Sequence, residues 1–208
     1  MKKNMDNRKK FISQLGISTL PRMAQQMHGA NVAIATDKSS SYTTSVDGLV
    51  TNVPVALGVV TADCVPMLCV DPKTHVVAAV HAGWKGTIGK IAAAAVAQMK
   101  YLSAKPEDIL VAIGPHIGMC CYDIPDDRAG SFAKELLFSH RVCHRFEDGW
   151  HLDIGFANYL QLIACGVLPE HIDAPITCTS CQNDKFFSYR KDTQETYGEM
   201  LAAIAFNE

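Results

Sequence analysis

His28, Cys64 and His81 are the residues of this chain whose types and surroundings suit chemistry. Thr61-Ala-Asp-Cys64 closes the apolar run Val55–Val60, and seventeen residues later His81-Ala-Gly-Trp84 closes Val76–Val80. Between them, Val65–Val70 and the turn-forming Asp71-Pro72-Lys73-Thr74 read as a hairpin. An even-membered loop centred on Pro72-Lys73 sets Cys64 directly opposite His81, whereas an odd-membered loop shifts the register. Directly opposed residues hold their Cβ atoms about 4.5–5.5 Å apart. A thiol and an imidazole at that distance form either a nucleophile–base pair or two ligands of one metal. His28, in the loop Gln26-Met-His-Gly29, reads either as an ordinary surface histidine or, if it joins Cys64 and His81, as the third member of a set of two imidazoles and one thiolate, although the spacings match no local zinc-finger signature. Three such ligands with an open fourth position are a zinc shell, and zinc lowers the pKa of a bound water to about 7. Sulfur and nitrogen donors suit zinc or copper better than magnesium.

Other residues are candidates for supporting roles. Asp63 precedes the thiol and is placed to orient it, to act as a general acid or base, or simply to cap a turn. Ala82-Gly-Trp-Lys-Gly-Thr87 leads into a helix and reads either as an ordinary strand–helix connection or as a site where backbone amides and Lys85 would favour an anion. Gly114-Pro-His-Ile-Gly-Met-Cys-Cys-Tyr-Asp123 reads as a loop lining a site, and Phe187-Ser-Tyr-Arg-Lys-Asp192 places two cations after an aromatic segment. Cys120-Cys121 admits a redox or a packing reading. Cys69, Cys143 and Cys165 read as small buried apolar residues. Cys178-Thr-Ser-Cys181 and His140-x-x-x-His144 have finger-like internal spacings, but their order and separation argue against a joint zinc site.

These residues need a scaffold, and 208 residues with 48% hydrophobic and 19% charged content suit one globular domain spanning 1–208. A net charge of −2 gives no footprint for nucleic acid or a membrane surface. No stretch approaches the roughly 20 apolar residues of a membrane span, and Phe11–Ser18 is too polar for a signal peptide. The expected location is therefore the cytoplasm, with reduced thiols. A helix is expected from about Asn7 to Leu20, stopping before Pro21. Strands are expected at Val32–Thr36, Gly48–Val53, Val55–Val60, Val65–Val70 and Val76–Val80. A helix over Thr87–Leu102 and a strand at Ile109–Ile113 follow. Helices at Ser131–Phe138 and Phe156–Cys165 flank a short strand at Trp150–Ile154. Extended segments close the chain at Ile176–Thr179, Phe186–Arg190 and Leu201–Phe206, the last compatible with helix too. This order describes an α+β fold with a mixed sheet.

Taken together, the motifs resemble the family of multicopper polyphenol oxidoreductases (laccase-like), also called peptidoglycan editing factors or purine nucleoside phosphorylases. The matching segments are Gln26-Met-His-Gly29, Asp47-Gly-Leu-Val-Thr51, Thr61-Ala-Asp-Cys-Val-Pro66 and Val80-His-Ala-Gly-Trp-Lys-Gly86. Gly114-Pro-His-Ile-Gly118, Cys120-Cys-Tyr-Asp123, Cys178-Thr179 and Phe186-Phe-Ser-Tyr-Arg190 follow in family order. The resemblance implies an α/β/β/α sandwich with mixed sheets, like that of certain cysteine hydrolases, and a zinc ion on His28, Cys64 and His81. It also implies phosphorolysis of adenosine, guanosine, inosine and methylthioadenosine, and deamination of adenosine. The substrates would be a purine nucleoside and phosphate, with Lys85, Tyr122 and Arg190 as binding residues and Cys64, His81 and Asp63 as catalytic ones. Relative to the family, the chain begins almost at Asn7-Arg8, without a preceding Gly-Gly-Val-Ser type strand. Lys85 also replaces the usual arginine, which keeps the charge but loses bidentate phosphate geometry.

Three other readings compete. A cysteine hydrolase would use Cys64 as nucleophile and His81 as base, and a metal would inhibit it. A copper-dependent polyphenol oxidase would require copper loading. A zinc-stabilised domain that binds or edits cell-wall precursors would melt on chelation yet turn over no nucleoside.

Overall fold

The computed structural model of the protein describes residues 2–17, 19–36, 41–193 and 195–206. Helix α1 (Lys2–Gln14) comes first, then strands β1 (Arg22–Gln25), β2 (Val32–Ile34), β3 (Tyr42–Thr44) and β4 (Gly48–Thr51). Strands β5 (Leu57–Thr61), β6 (Val65–Asp71) and β7 (Val76–Ala82) lead into helices α2 (Trp84–Ile88) and α3 (Ile91–Tyr101). After them come β8 (Leu110–Ile113), β9 (Asp123–Ile124), α4 (Asp126–Glu135), β10 (Cys143–Phe146) and β11 (Gly149–Leu152). Helix α5 (Ile154–Ala164), β12 (Ile172–Asp173) and β13 (Met200–Ile204) complete the chain.

Two mixed sheets form the body of the molecule. The larger has the order β12-β8-β6-β7-β4-β2, the smaller β13-β5-β1-β3, and β10-β11-β9 make a third ribbon. Strand β7 shows why the layers stack. Val76, Ala78, Val80 and Ala82 belong to the core shared with α3 and α5, while Val77 and Ala79 belong to the core shared with the second sheet. Side chains alternate across a strand, so a strand apolar at every position must be covered on both faces. On the far side of the small sheet, α1 buries Ile12, and Arg8 Nη1 donates to the Tyr42 hydroxyl at 3.5 Å. The layers run α/β/β/α. Among the described residues, no helix is long and apolar enough to cross a membrane.

The elements differ from the sequence expectation in ways that matter locally. The first helix ends at Gln14, and Gly16 at φ 72° closes it in the left-handed region. Ser18, inside the span expected to be helical, lies outside the described residues. The expected helix over Thr87–Leu102 is two helices, broken at Gly89 and at Lys90, whose φ is 62°. Gly89 sits where a Cβ would meet the Ala30 methyl at 2.7 Å, so the break lets α2 close onto the His28 loop. The Ser131–Phe138 helix runs instead over Asp126–Glu135, begun by Pro125 as a helix-starting residue. Of the closing extended segments, Leu201–Phe206 overlaps β13, Ile176–Thr179 makes one bridge to His116, and Phe186–Arg190 is irregular and ends in a turn.

The hairpin register is also corrected. Strands β6 and β7 pair with Pro66 opposite His81 and Asp71 opposite Val76, so Cys64 is not the cross-strand partner of His81. The loop is the four residues Pro72–His75, one position later than supposed. The Asp71 carboxylate fixes it by accepting from the amides of Lys73 at 2.8 Å and Thr74 at 3.2 Å, while His75 takes φ 56°. The slip is two residues, an even number, so Cys64 and His81 remain on one face, diagonally related.

Candidate metal centre

The site is built around a carboxylate that sequence reading quoted in a motif but gave no role, Asp47. It is 1% exposed and immediately precedes β4. Its Oδ1 accepts from the His28 amide at 2.8 Å, and its Oδ2 accepts from the amides of Gly29 at 2.7 Å and Met27 at 3.2 Å. Three backbone donors thus fold residues 27–29 around one side chain, and His28 is held at φ 58°, left-handed backbone for a residue with a Cβ. Asp47 Oδ1 also lies 2.9 Å from His81 Nδ1, and the Asp47 carbonyl accepts from the His81 amide at 2.7 Å. With Nδ1–H donated to the carboxylate, His81 presents Nε2 to the site.

His28, Cys64 and His81 converge, with one donor atom from each lying within 4.8 Å of the others. The two imidazoles are perpendicular, their centroids 4.8 Å apart. Gly83 backs the group. A Cβ there would stand 3.1 Å from His28 Cδ2, 3.3 Å from Cys64 Sγ and 3.7 Å from His81 Cε1. The close approach of a bare backbone to all three side chains leaves them gathered on one side, with the cavity on the other. Two nitrogens and one sulfur at such separations fit a zinc ion with a fourth position open. Burial lowers the His28 pKa, with His81 adding to the effect, which favours the neutral imidazole a metal needs. Burial, with the charges of Asp63 and Asp47, pushes the Cys64 thiol up to about 12 in the absence of an ion.

The cavity beside this cluster measures about 510 Å³, a size ordinary for small-molecule sites. Its wall includes Trp84, Tyr122, Tyr189 and Tyr197, with Arg128, Arg190, Asp63 and Gln26. Gln26 extends the β1–β5 pairing with its side chain, donating to the Val60 carbonyl at 2.7 Å and accepting from the Val60 amide at 2.8 Å. Asp63, at φ 80°, has both oxygens engaged: Thr179 Oγ1 donates to one at 2.6 Å and the Arg190 amide to the other at 2.7 Å. It thereby ties the Cys64 corner to the C-terminal loops.

The expected substrate-binding residues divide. Tyr122 lines the cavity, and burial raises its pKa. Arg190 lines it too, paired with the Asp123 carboxylate and 5.5 Å from the Tyr122 ring centroid. Lys85 lies outside the lining, exposed, with its Nζ 5.6 Å from the Trp84 ring centroid. The cation that faces the cavity from α4 is Arg128, whose guanidinium lies 4.3 Å over Trp84 and whose buried Nε has no partner. No local motif marks Arg128, which lies ahead of the helix expected to begin at Ser131. The expected anion-favouring helix start proves to be the five-residue α2. It is held by Thr87, whose hydroxyl accepts from Asn158 at 2.9 Å and whose carbonyl accepts from Gln161 at 2.7 Å.

A two-histidine, one-cysteine cluster at the mouth of an α/β/β/α sandwich defines a class of small-molecule site. Comparison with known proteins gives the family. The profile described as multi-copper polyphenol oxidoreductase laccase matches residues 2–207, and the chain belongs to that family. It is 39% identical over 196 residues to "Purine nucleoside phosphorylase YlmD" of Geobacillus stearothermophilus, covering 88% of this chain and 71% of that protein. It is 33% identical over 202 residues to "Adenosine deaminase RL5" from an unknown prokaryotic organism, covering 90% of this chain and 76% of that one. The crystal structure of Bacillus licheniformis hypothetical protein YfiH superposes with a TM-score of 0.89 at 31% identity, over 97% of this chain and 80% of that chain.

Proposed function

We propose that this chain is a zinc-dependent enzyme of purine nucleosides. In this reading it phosphorolyses adenosine, inosine, guanosine or methylthioadenosine, and it deaminates adenosine. The observation that carries the proposal is the convergence of His28, Cys64 and His81 at the edge of a cavity walled by aromatic rings and two arginines. The names of the relatives, purine nucleoside phosphorylase and adenosine deaminase, support the substrate class.

A zinc ion bound there supplies Lewis-acid polarisation of a substrate oxygen or a water. The chain's own residues do the rest. Asp47 keeps His81 in the tautomer that presents Nε2. Trp84, Tyr122, Tyr189 and Tyr197 offer apolar faces to a purine and keep bulk water from it. Arg128 and Arg190, both in the cavity wall, are the cations assigned to phosphate. Lys85, on the outer surface beside His28, contributes to the field that draws an anion inward. Asp63 acts as a positioning residue that fixes Thr179 and the Arg190 backbone, with proton transfer as a second role. In phosphorolysis a phosphate oxygen bonds to C1′ while the glycosidic C–N bond breaks and the base takes a proton. In deamination the water oxygen bonds to C6 while the C6–N bond breaks, one water proton leaving with the amino group as ammonia and the other passing to N1.

Product chromatography tests the proposal. Full-length, metal-quantified protein is incubated with adenosine and phosphate, with and without chelator. Chelator-sensitive inosine supports deamination, and adenine with ribose 1-phosphate supports phosphorolysis. Folded, zinc-loaded protein that yields neither refutes the nucleoside reading. A copper-loaded arm with a phenolic substrate addresses the same donor set under the oxidase reading, for which quinone formation is the signature. Unchanged turnover under chelation, lost in Cys64→Ala, would mark a cysteine nucleophile instead.

A further inference from the structure

Four of the eight cysteines meet at a second place, and none of the four lines the cavity. The turn Gly118–Cys121 carries Cys120 and Cys121, and the turn following Cys178 carries Cys181. These segments are about sixty residues apart in sequence. Cys181 Sγ lies 3.4 Å from Cys120 Sγ and 3.4 Å from Cys121 Sγ. All four sulfurs lie within 4.8 Å of one another.

We propose that Cys120, Cys121, Cys178 and Cys181 form a second, structural metal site, binding zinc as a tetrathiolate. Zinc–sulfur bonds of about 2.3 Å in tetrahedral geometry set sulfur–sulfur edges of about 3.8 Å, the same range as the separations here. A disulfide needs about 2.05 Å between sulfurs, so the four are spaced for a shared ion. Four thiols give up four protons to solvent as the ion binds. The surroundings are already arranged. The Gly118 amide donates to Cys178 Sγ at 3.2 Å, the polarity a thiolate favours. Gly118 also admits the sulfurs, since a Cβ there would stand 3.2 Å from Cys178 Cβ and 3.3 Å from Cys120 Sγ. His140 and His144, which share finger-like spacing with the Cys178–Cys181 pair, take no part. His144 lies in β10 with its Nε2 3.2 Å from the Arg141 carbonyl.

The site has a structural task. The two turns are otherwise joined by backbone bonds from the His116 amide to Thr177 at 3.2 Å and from the Thr179 amide to His116 at 3.0 Å. Around them β structure reduces to a single bridge between His116 and Cys178. A four-coordinate ion would clamp the loop that ends at Tyr122 to the segment that carries Thr179 and Arg190. This inference does not depend on what the cavity binds.

The test is metal content of the full chain purified under reducing conditions without chelator. Wild type is expected to carry two zinc ions, Cys64→Ala one, and Cys178→Ser with Cys181→Ser one. Cobalt replacement in Cys64→Ala supplies a readout that does not require the serine variant to fold. Intense thiolate-to-cobalt charge transfer with tetrahedral d–d bands is expected there, together with protection of four thiols from a disulfide reagent until chelator is added. A single zinc in wild type that Cys64→Ala removes would overturn the proposal. So would metal-free protein whose mass is lower by two hydrogens for each bridge among these cysteines. Absence of nucleoside turnover with two zinc ions present would count against the catalytic reading alone.

Discussion

At the scale of single residues, the site depends on groups that bind nothing themselves. Asp47 receives three amides and the His81 imidazole. Asp47→Asn keeps the shape but replaces one acceptor oxygen with a donor, so the His81 tautomer is no longer enforced. The expected outcome is a 10–100-fold loss of affinity at this site, measured by competition against a chromophoric chelator. Gly83 makes the sharper test of geometry. Gly83→Ala would press a methyl against His28 and Cys64, with a cost of roughly 1–3 kcal/mol and weakened metal binding. Gly130, in the middle of α4 with nothing within 4 Å of its Cβ position, is the control. Gly130→Ala is expected to raise stability by about 0.5–1 kcal/mol in urea denaturation, without altering metal content. Cys64 and His81 were legible in the sequence because each follows an apolar run, and His28 through the Gln26-Met-His-Gly29 motif of the family resemblance. Asp47 and Arg128 were not. Their importance lies in contacts with residues far along the chain, and neither has a neighbour that announces it.

At the scale of elements, the long apolar runs were the legible part. Val76–Val80 and Val65–Val70 must be strands buried on both faces, and they are β7 and β6. What sequence could not supply was register, because Pro72 was given the centre of a turn that Asp71 instead organises from its first position. Short strands such as β1 and β3 were missed because Arg22–Gln25 and Tyr42–Thr44 show no apolar pattern of their own. They are strands because neighbours offer them a ladder. The hairpin gives a pH prediction. Asp71 is buried, and burial alone would raise its pKa, but bonds from the Lys73, Lys105 and Thr74 amides outweigh that and hold it below the ordinary carboxylate value. A carboxylate depressed in the folded state contributes stability above its unfolded value, and loses it as pH falls through the folded value. Asp71→Ala is therefore expected to cost about 1–3 kcal/mol near neutral pH. Its difference from wild type should shrink below about pH 4, as followed by denaturation at a series of pH values.

At the scale of the whole molecule, the sandwich explains why chemistry gathers at one edge. The first cluster takes His28 from the loop after β1, Cys64 from the β5–β6 corner and His81 from near the end of β7. The cavity wall adds residues from α4 and from loops as late as Tyr197 and Glu199. Sequence order hides this assembly, and a match to family motifs could name the parts but not their neighbours. An ion that links such distant segments stabilises the folded chain by binding it alone, so chelation should lower the melting temperature as well as activity. The most direct test of the central claim is turnover of adenosine by metal-stripped protein as zinc is added back. Turnover should be absent without metal and return with zinc in wild type, and stay absent in Cys64→Ala at every zinc concentration. Full turnover by the stripped protein, or by zinc-treated Cys64→Ala, would contradict it.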